Sequence, residues 1–426
     1  MRGIAVLAGG LLLTALGLGC AAGVADQPNE NPTQVTMTRV RTGSGGRESY
    51  LFVANQYFDV VSRVNMETLD VKNIDVGRRP YTMDLTPDGR TLVVANRDSR
   101  NVSLVDAAAG HEFARVYTGF EPLDVAISAD GRYAGVANYH NESVALVDVG
   151  GRGSLLLLCP DGPASVAFNA AGEKLLAVSW SVPALRVYDT ASQETTLEKV
   201  FAASDLEGWG FTPPTDWAWY GGDPYEGPRL QALAAGPAGT ALEPYALVAL
   251  KYYQAYVYPS EPDPYRSYLL AVDWTTGSVA QGLELPDGAF AVAFGPDESR
   301  AYVLSQSPYE SVANMVSELE VAGDGTLSEL FRYPLGEDPT SIAMNPARPE
   351  VYVVNRGSDT LTVADTTTHF QDEIALRAKP FTVSVSTAGG KIFVSHDNPL
   401  GSLSVIDADS RDVRFFKSLV YGDYVE

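Results

Sequence analysis

Cysteine is almost absent from this sequence. Its 426 residues contain two cysteines, Cys20 and Cys159. If Cys20 is lipidated or removed with an export signal, Cys159 has no partner, so no disulfide is expected to staple the fold. Cys159 follows the apolar run 155–158, where a buried structural thiol is expected. The motif Cys-x-x-Cys-His does not occur, which excludes covalent attachment of a c-type haem.

Histidine and the short catalytic motifs are also scarce. The chain has four histidines, and no two of them have the spacing of a helical metal site: His111, His140, His369 and His396. Neither a Gly-x-Ser-x-Gly elbow nor a P-loop occurs. The sequence therefore predicts no catalytic residues.

Positive charge is in short supply. Thirty Lys and Arg oppose 53 Asp and Glu, which gives a formal net charge of −23. Phosphate backbones and anionic lipid headgroups bind clustered cations, so we expect neither nucleic acid nor direct adhesion to a membrane.

The first 25 residues have the pattern of an export signal. Arg2 precedes an apolar stretch, 4–19, that is too short for a comfortable membrane span. The following Leu-Gly-Cys-Ala resembles the lipobox of bacterial lipoproteins, which implies lipidation at Cys20; cleavage after Ala22 or Ala25 is the alternative. Either way we expect export to the bacterial periplasm or outer membrane, with a lipid anchor if Cys20 is processed. Residues 26–48 are predicted to be a flexible tether.

One repeat dominates the rest of the chain. In the segment 77–106, Pro80 precedes Asn96 by 16 residues and Asp106 by 26 residues. The 26-residue spacing returns in later copies: Pro122–Asp148, Pro163–Asp189 and Pro339–Asp365. Short alternating runs between Gly, Asp and Asn turns predict antiparallel strands, and Asp88-Gly89 favours a type I′ hairpin turn.

These repeats predict an all-β chain of four-stranded antiparallel blades, whose strands we label A to D. Eight B strands can be counted, and they are predicted to begin at Leu51, Thr91, Tyr133, Lys174, Tyr245, Arg300, Glu350 and Lys391. This count favours an eight-bladed β-propeller over residues 49–426; seven blades are the alternative. The first blade takes its A strand either from 35–40 or from the tail near 419–424. The frame Gly-x-x-Pro, Asp-Gly-Arg, Val-Ala-Asn and Val-Ser-Leu-Val-Asp resembles the YVTN-type β-propeller repeat of bacterial surface and periplasmic proteins. This resemblance implies the fold and no particular activity, since related propellers serve as lactonases, redox subunits and binding platforms.

The Asp that ends most C strands and the Asn that ends several B strands recur too often to mark a unique site. We expect both to form hydrogen bonds that shape turns. His396 occupies one of these Asn positions, and a turn-shaping hydrogen bond is the expected role for it as well.

Two inserts, 203–228 and 251–267, interrupt the repeat. D–A and B–C connections leave a blade on the same face, so both inserts are expected on one face of the propeller. They are rich in aromatic residues, which suit a glycan or a partner's apolar anchor unless they pack on each other. The candidate ligand-binding residues are Trp209, Trp217, Trp219, Tyr220, Tyr253, Tyr256 and Tyr258.

The residues just before each A strand are expected to line the central mouth on that face. They form a mixed, mainly acidic ring: Arg79, Glu121, Asp161, Asp287, Asp338 and Lys379. Such a ring could hold a divalent cation, although a solvated channel rim is the simpler interpretation. We predict no cofactor otherwise.

Three functions follow from these features. The first is a non-catalytic, monomeric propeller that binds a protein, peptide or glycan of the cell envelope through its aromatic inserts. The second is a hydrolase, implied by resemblance to lactonase-type propellers, with a cation held by Asp161, Asp287, Asp338 or Glu337. The third is a redox subunit with a haem-like or quinone cofactor over the channel, against which the scarcity of histidine and the missing Cys-x-x-Cys motif speak.

Overall fold

A computed structural model describes most of the chain from residue 35 onward. The described residues are 35–41, 47–66, 68, 70–160, 162–180, 182–201, 205, 229–253, 265–286, 288–306, 314–377, 379–386, 388–397, 402–416 and 418–419. Within them, no helix is long and apolar enough to cross a membrane.

Thirty-two strands form eight four-stranded sheets, each made of four strands that follow one another in sequence. Blade 1 contains β1 Val35–Arg41, β2 Arg47–Asn55, β3 Val60–Asn65 and β4 Val71–Asp75. Blade 2 contains β5 Pro80–Leu85, β6 Thr91–Asn96, β7 Asn101–Asp106 and β8 His111–Tyr117. Blade 3 contains β9 Pro122–Ile127, β10 Tyr133–Asn138, the 3₁₀ turn Tyr139–Asn141, β11 Ser143–Asp148 and β12 Gly153–Leu158. Blade 4 contains β13 Pro163–Phe168, β14 Lys174–Ser179, β15 Ala184–Asp189 and β16 Thr195–Val200.

The other four blades repeat this order. Blade 5 contains β17 Arg229–Ala235, β18 Tyr245–Tyr253, β19 Tyr265–Asp273 and β20 Ser278–Leu285. Blade 6 contains β21 Ala289–Phe294, β22 Arg300–Ser305, β23 Met315–Val321 and β24 Leu327–Pro334. Blade 7 contains β25 Pro339–Met344, β26 Glu350–Asn355, β27 Thr360–Asp365 and β28 Gln371–Ala375. Blade 8 contains β29 Pro380–Val385, β30 Lys391–His396, β31 Leu403–Asp407 and β32 Val413–Phe416. The chain is an eight-bladed β-propeller, as predicted.

Each blade is covered by a neighbour on both faces, and this explains the nearly continuous apolar B strands. In β6, Leu92 and Val94 pack toward blade 1, whereas Val93 and Ala95 pack toward blade 3. Successive side chains of a strand point to opposite faces, so an apolar residue is needed at every position.

The first blade is completed by the amino-terminal option. Its inner strand β1, Val35–Arg41, pairs with β2 along its whole length. This strand lies inside the stretch predicted as a tether, so the first blade extends into that stretch. The ring closes by side-chain packing, because Leu51 and Val53 of blade 1 share a buried cluster with Phe393 and Leu403 of blade 8.

The repeated Asp and Asn residues have the predicted roles in turns. Asp365 Oδ1 accepts the amides of Thr367 and Thr368 at 2.8 and 2.7 Å, and Asn355 Nδ2 donates across the B–C turn to Thr360 Oγ1 at 3.0 Å. The predicted type I′ turn is wrong. In blade 2 the Gly89 amide donates to Thr86 O at 2.7 Å with Gly89 alone at positive φ, because Pro87 fixes a negative φ in the turn.

Candidate functional site

Two rings of residues line the mouth on the face that carries the D–A and B–C connections. The residues before the A strands form one ring, and the residues after the B strands form the other. In six blades, the residue before strand A has a left-handed backbone. Its carbonyl accepts the amide of the residue after strand B at 2.7–3.1 Å. The donor–acceptor pairs are Arg97–Arg79, Tyr139–Glu121, Trp180–Gly162, Gln306–Gly288, Arg356–Asp338 and Asp397–Lys379. This repeated bond holds two residues per blade at the channel opening, although in blades 4 and 6 the first of them is a glycine without a side chain.

Side chains of the two rings connect neighbouring blades. Arg97 Nε donates to Glu121 Oε1 at 2.7 Å, from blade 2 to the start of blade 3. Gln306 Nε2 donates to Asp338 Oδ1 at 2.6 Å in the same way between blades 6 and 7. These hydrogen bonds join polar residues of the mouth across neighbouring blades, and we call this connected set of residues the polar belt.

A cavity of about 410 Å³ opens in this belt at blades 2 and 3. It is lined by Arg78, Arg97, Asp98, Arg100, Phe120, Glu121 and His140. Three arginines and a histidine against two acids make this a basic spot in a strongly acidic chain. Such a spot attracts an anionic ligand.

Glu121 lies at the centre of the cavity wall. Its Oε1 accepts from Arg97, and its Oε2 contacts His140 Nδ1. A carboxylate only accepts hydrogen bonds, so this contact requires a proton on Nδ1 and leaves Nε2 outside the contact. The His140 side chain is 65% exposed. The imidazole ring is therefore oriented by Glu121 and is still accessible to a ligand.

Two further side chains shape the floor and edge of the cavity. The Arg97 guanidinium lies 5.3 Å from the centre of the Tyr81 ring, and burial lowers the pKa of Arg97 from its usual value. The Arg100 guanidinium stacks 3.6 Å above the ring of Phe120, which is itself exposed. The cavity thus combines charge with a flat apolar surface.

Buried donors without acceptors lie beside this cavity. Arg79 Nε donates to Gln56 Oε1 at 3.3 Å. Within the described part of the chain, Arg79 Nη2 and Gln56 Nε2 have no hydrogen-bond acceptor, although both atoms are buried. An unsatisfied buried donor costs about 1–3 kcal/mol, so a bound acceptor would stabilise this site.

The mouth is arranged differently at blades 7 and 8. Arg356 Nη2 donates to Asp397 Oδ2 at 3.0 Å, and the Asp397 side chain is buried. Burial raises the pKa of Asp397 from its usual value. Among the described residues, no group of three or more His, Cys, Asp or Glu side chains is placed to hold a metal ion.

Four of the six predicted mouth residues directly precede an A strand and have a left-handed backbone: Arg79, Glu121, Asp338 and Lys379. Asp161 and Asp287 lie outside the described residues. Of the insert residues, Tyr253 ends β18, with a side chain outside the description. The others are also outside it: Trp209, Trp217, Trp219, Tyr220, Tyr256 and Tyr258.

The other histidines do not reach the cavity. His396 is fully buried and shares a hydrogen bond of 2.8 Å with Ser404 Oγ, as its turn position predicted. His369 contacts the Tyr333 hydroxyl at 2.9 Å beside a C–D turn, and His111 begins outer strand β8. Among the four histidines, His140 alone lines the cavity.

Comparisons with known proteins bear directly on this cavity. The family model "Cytochrome D1 heme domain" matches residues 81–156, less than a fifth of the chain. No curated protein matches the chain.

Several solved structures share the fold. NirN, described as a dihydro-heme d1 dehydrogenase in complex with DHE, is 14% identical with a TM-score of 0.65, covering 85% of this chain and 72% of its own. Hydrazine synthase of Kuenenia stuttgartiensis is 18% identical with a TM-score of 0.55, over 78% and 96% of the two chains. The Cps50 (Swd1) β-propeller domain of Myceliophteria thermophila is 10% identical with a TM-score of 0.53, over 79% and 95%. At these identities the likeness is one of fold.

Two predictions are corrected by these findings. The expectation of a non-catalytic binder of glycan or peptide, and its lactonase-like alternative, is contradicted by the matching haem-domain model and by NirN. The expectation of no cofactor beyond a cation is contradicted by the same findings. The scarcity of histidine is no argument against a haem-like cofactor, because one histidine suffices as a protein ligand to a haem iron.

Three lining residues of the cavity were not among the predicted site residues: Arg97, Arg100 and Phe120. One signal was available: the B–C turn of blade 2 reads Arg-Asp-Ser-Arg in a chain with few cations.

Proposed function

We propose that this propeller binds a haem of the d1 class, without a covalent bond, in the cavity formed by blades 2 and 3. One observation carries the proposal: an exposed histidine, oriented by a carboxylate, lines a cavity rich in arginine. The family match supports it, since residues 81–156 include six of the seven lining residues, all except Arg78.

His140 is the candidate iron ligand. Histidines that bind metals almost always donate their second ring nitrogen to a carboxylate or carbonyl, which fixes the ring and raises its basicity. The contact of His140 Nδ1 with Glu121 has this form and leaves Nε2 for the metal. Arg97 holds Glu121 in turn through Oε1.

The arginines suit the carboxylate side groups of a haem. Arg78 and Arg100 are exposed at the cavity, and guanidinium groups bind carboxylates with paired hydrogen bonds. The free donors Arg79 Nη2 and Gln56 Nε2 are further candidates for the same task.

Size and shape are also compatible with a cofactor. A volume of about 410 Å³ lies within the roughly 300–1,000 Å³ of small-molecule sites. The exposed Phe120 ring with Arg100 stacked on it provides a flat surface for a macrocycle. When bound, a haem supplies an iron centre for electron transfer or for binding of small ligands.

The repeat type and the location belong to the same proposal. We assign the blades to the YVTN-type repeat on the frame of Gly77–Asp106, and the protein to the periplasm or outer membrane, with Cys20 as lipid anchor. A Cys20→Ala protein should leave the membrane fraction; if it stays there, the anchor is elsewhere.

The test of cofactor binding is a titration of the purified protein with haem d1, followed by visible absorption. Wild-type protein and the His111→Ala control should change the haem spectrum and saturate. His140→Ala should lose the spectral signature of the histidine ligand and bind at least about tenfold more weakly. Identical spectra for His140→Ala and wild type would refute His140 as the ligand.

A further inference from the structure

The outer strand of blade 3 differs from every other outer strand of the propeller. Strand β12 reads Gly-Ser-Leu-Leu-Leu-Leu and contains no charged residue. The other seven outer strands each carry at least one: β4, β8, β16, β20, β24, β28 and β32. Charges on an edge strand protect it against pairing with another chain, so β12 is the unprotected edge.

Its side chains form an exposed apolar strip. Leu155, Leu156 and Leu158 are all exposed, Leu158 by 74%. The strip continues to Tyr117 of β8, which is 53% exposed and whose carbonyl accepts Ser154 Oγ at 2.5 Å. Within the described residues, β12 pairs with β11 on one side only. A row of backbone donors and acceptors is therefore open beside exposed leucines.

We propose that a second copy of this chain pairs with β12, edge to edge and antiparallel, about a two-fold axis. Such an interface is self-complementary, because the same strand serves on both sides. It would bring the Gly153 end of one copy beside the Leu158 end of the other. In a chain of net charge −23, most contacts between copies are repulsive, and an uncharged strand is where two copies approach at least cost.

The two ends of β12 carry opposite charges. Arg152 directly precedes the strand and is exposed. Glu142 lies at the other end, where its carbonyl accepts the Cys159 amide at 2.9 Å, and it too is exposed. Antiparallel pairing places Arg152 of each copy near Glu142 of the other. This charge complementarity favours a second copy over an unrelated extended peptide.

Sedimentation equilibrium of the exported, processed protein tests the pairing. Wild type should sediment as a dimer, and Leu158→Lys should raise the dimer dissociation constant by about tenfold or more, because a lysine in the interface would lose its hydration. Val200→Lys is the matched control: Val200 ends β16 as Leu158 ends β12, and it is 48% exposed. That variant should dimerise like wild type.

A charge exchange identifies the partner as a second copy. In Arg152→Glu, the new glutamate of each copy lies near Glu142 of the other copy, and their repulsion should weaken the dimer. Combining Arg152→Glu with Glu142→Arg should restore it. Both residues are exposed, but the Arg152 guanidinium lies 5.1 Å from the centre of the Phe113 ring, so the unfolding free energy of each variant is measured beside its dimer dissociation constant. A monomeric wild type at all concentrations, as the sequence led us to expect, would overturn the proposal. So would a Leu158→Lys protein or an Arg152→Glu protein as dimeric as wild type.

Discussion

Glu121 contacts His140 Nδ1 through one carboxylate oxygen and Arg97 through the other. Three separate loops supply these residues: Arg97 follows β6, Glu121 precedes β9 and His140 follows β10. The contact sets the tautomer of the one histidine that faces the cavity.

Glu121→Gln should weaken haem d1 binding by about 10–100-fold, the usual effect of removing a residue that orients a metal-binding histidine. The visible-absorption titration measures it. Asp338→Asn, at the equivalent position of blade 7, is the control and should bind like wild type. Equal weakening in both variants would mean that any change at the mouth disturbs the site.

Arg79→Met should reduce the preference of the protein for a haem with free carboxylates. In wild type, we expect haem d1 to bind more tightly than its methyl-ester derivative, because the ester offers no anionic acceptor to Arg79 Nη2. In Arg79→Met the difference should shrink. Equal binding of both forms by the wild-type protein would show that Arg79 does not bind the haem carboxylates.

Gly162→Ala should destabilise the propeller more than Gly239→Ala does. Both glycines have a left-handed backbone, with φ of 66° and 70°, which costs a residue with a Cβ about 1–2 kcal/mol. At Gly162 the added Cβ would also lie 2.8 Å from the Tyr139 ring, whereas at Gly239 it would meet nothing within 4 Å. Chemical denaturation measures both, and addition of Tyr139→Ala should remove the extra loss at Gly162. Equal losses in the two single variants would show that the Tyr139 ring moves aside freely.

Tyr333→Phe should cost about 1–3 kcal/mol of unfolding free energy, because it leaves a buried carboxylate oxygen without its donor. The Tyr333 hydroxyl donates to Glu318 Oε2 at 2.6 Å, and the Glu318 side chain is fully buried between blades 6 and 7. Tyr117→Phe, at an exposed outer position, is the control and should change little. A Tyr333→Phe protein as stable as this control would mean that Glu318 is satisfied by other groups.

Asp84→Asn should alter how stability depends on pH. Burial raises the pKa of Asp84 to about 7. Between its unfolded value of 3.8 and about 7, the folded state holds a proton that the unfolded state has lost, so stability falls as pH rises, by at most about 1.4 kcal/mol per pH unit. The variant has no such titration. Its unfolding free energy relative to wild type should therefore increase from pH 4 to pH 7, and a constant difference would place the Asp84 pKa near its ordinary value.

Much of the fold could be predicted from the sequence. Strands B of blades 2 to 8 begin at the predicted residues, Thr91, Tyr133, Lys174, Tyr245, Arg300, Glu350 and Lys391. Proline and asparagine at fixed spacing mark local turns, and such turns are determined by residues close in sequence. Only the first B strand begins elsewhere, at Arg47 in place of Leu51, in the blade whose repeat is least regular.

The site was harder to predict because it depends on contacts between blades. Topology placed Arg79 and Glu121 at the mouth, but the convergence of Arg97, Glu121 and His140 requires the rotation between neighbouring blades. A repeat pattern carries no information about which side chains meet across that rotation. The inference from composition also failed, since counting histidines does not reveal where one of them lies.

The most direct test is the binding of haem d1 to the purified protein, measured as stoichiometry by visible absorption. Saturation is predicted at one haem per chain, with a histidine-ligand spectrum that disappears in His140→Ala and returns when imidazole is added to that variant. A haem spectrum that wild-type protein leaves unchanged would contradict the account.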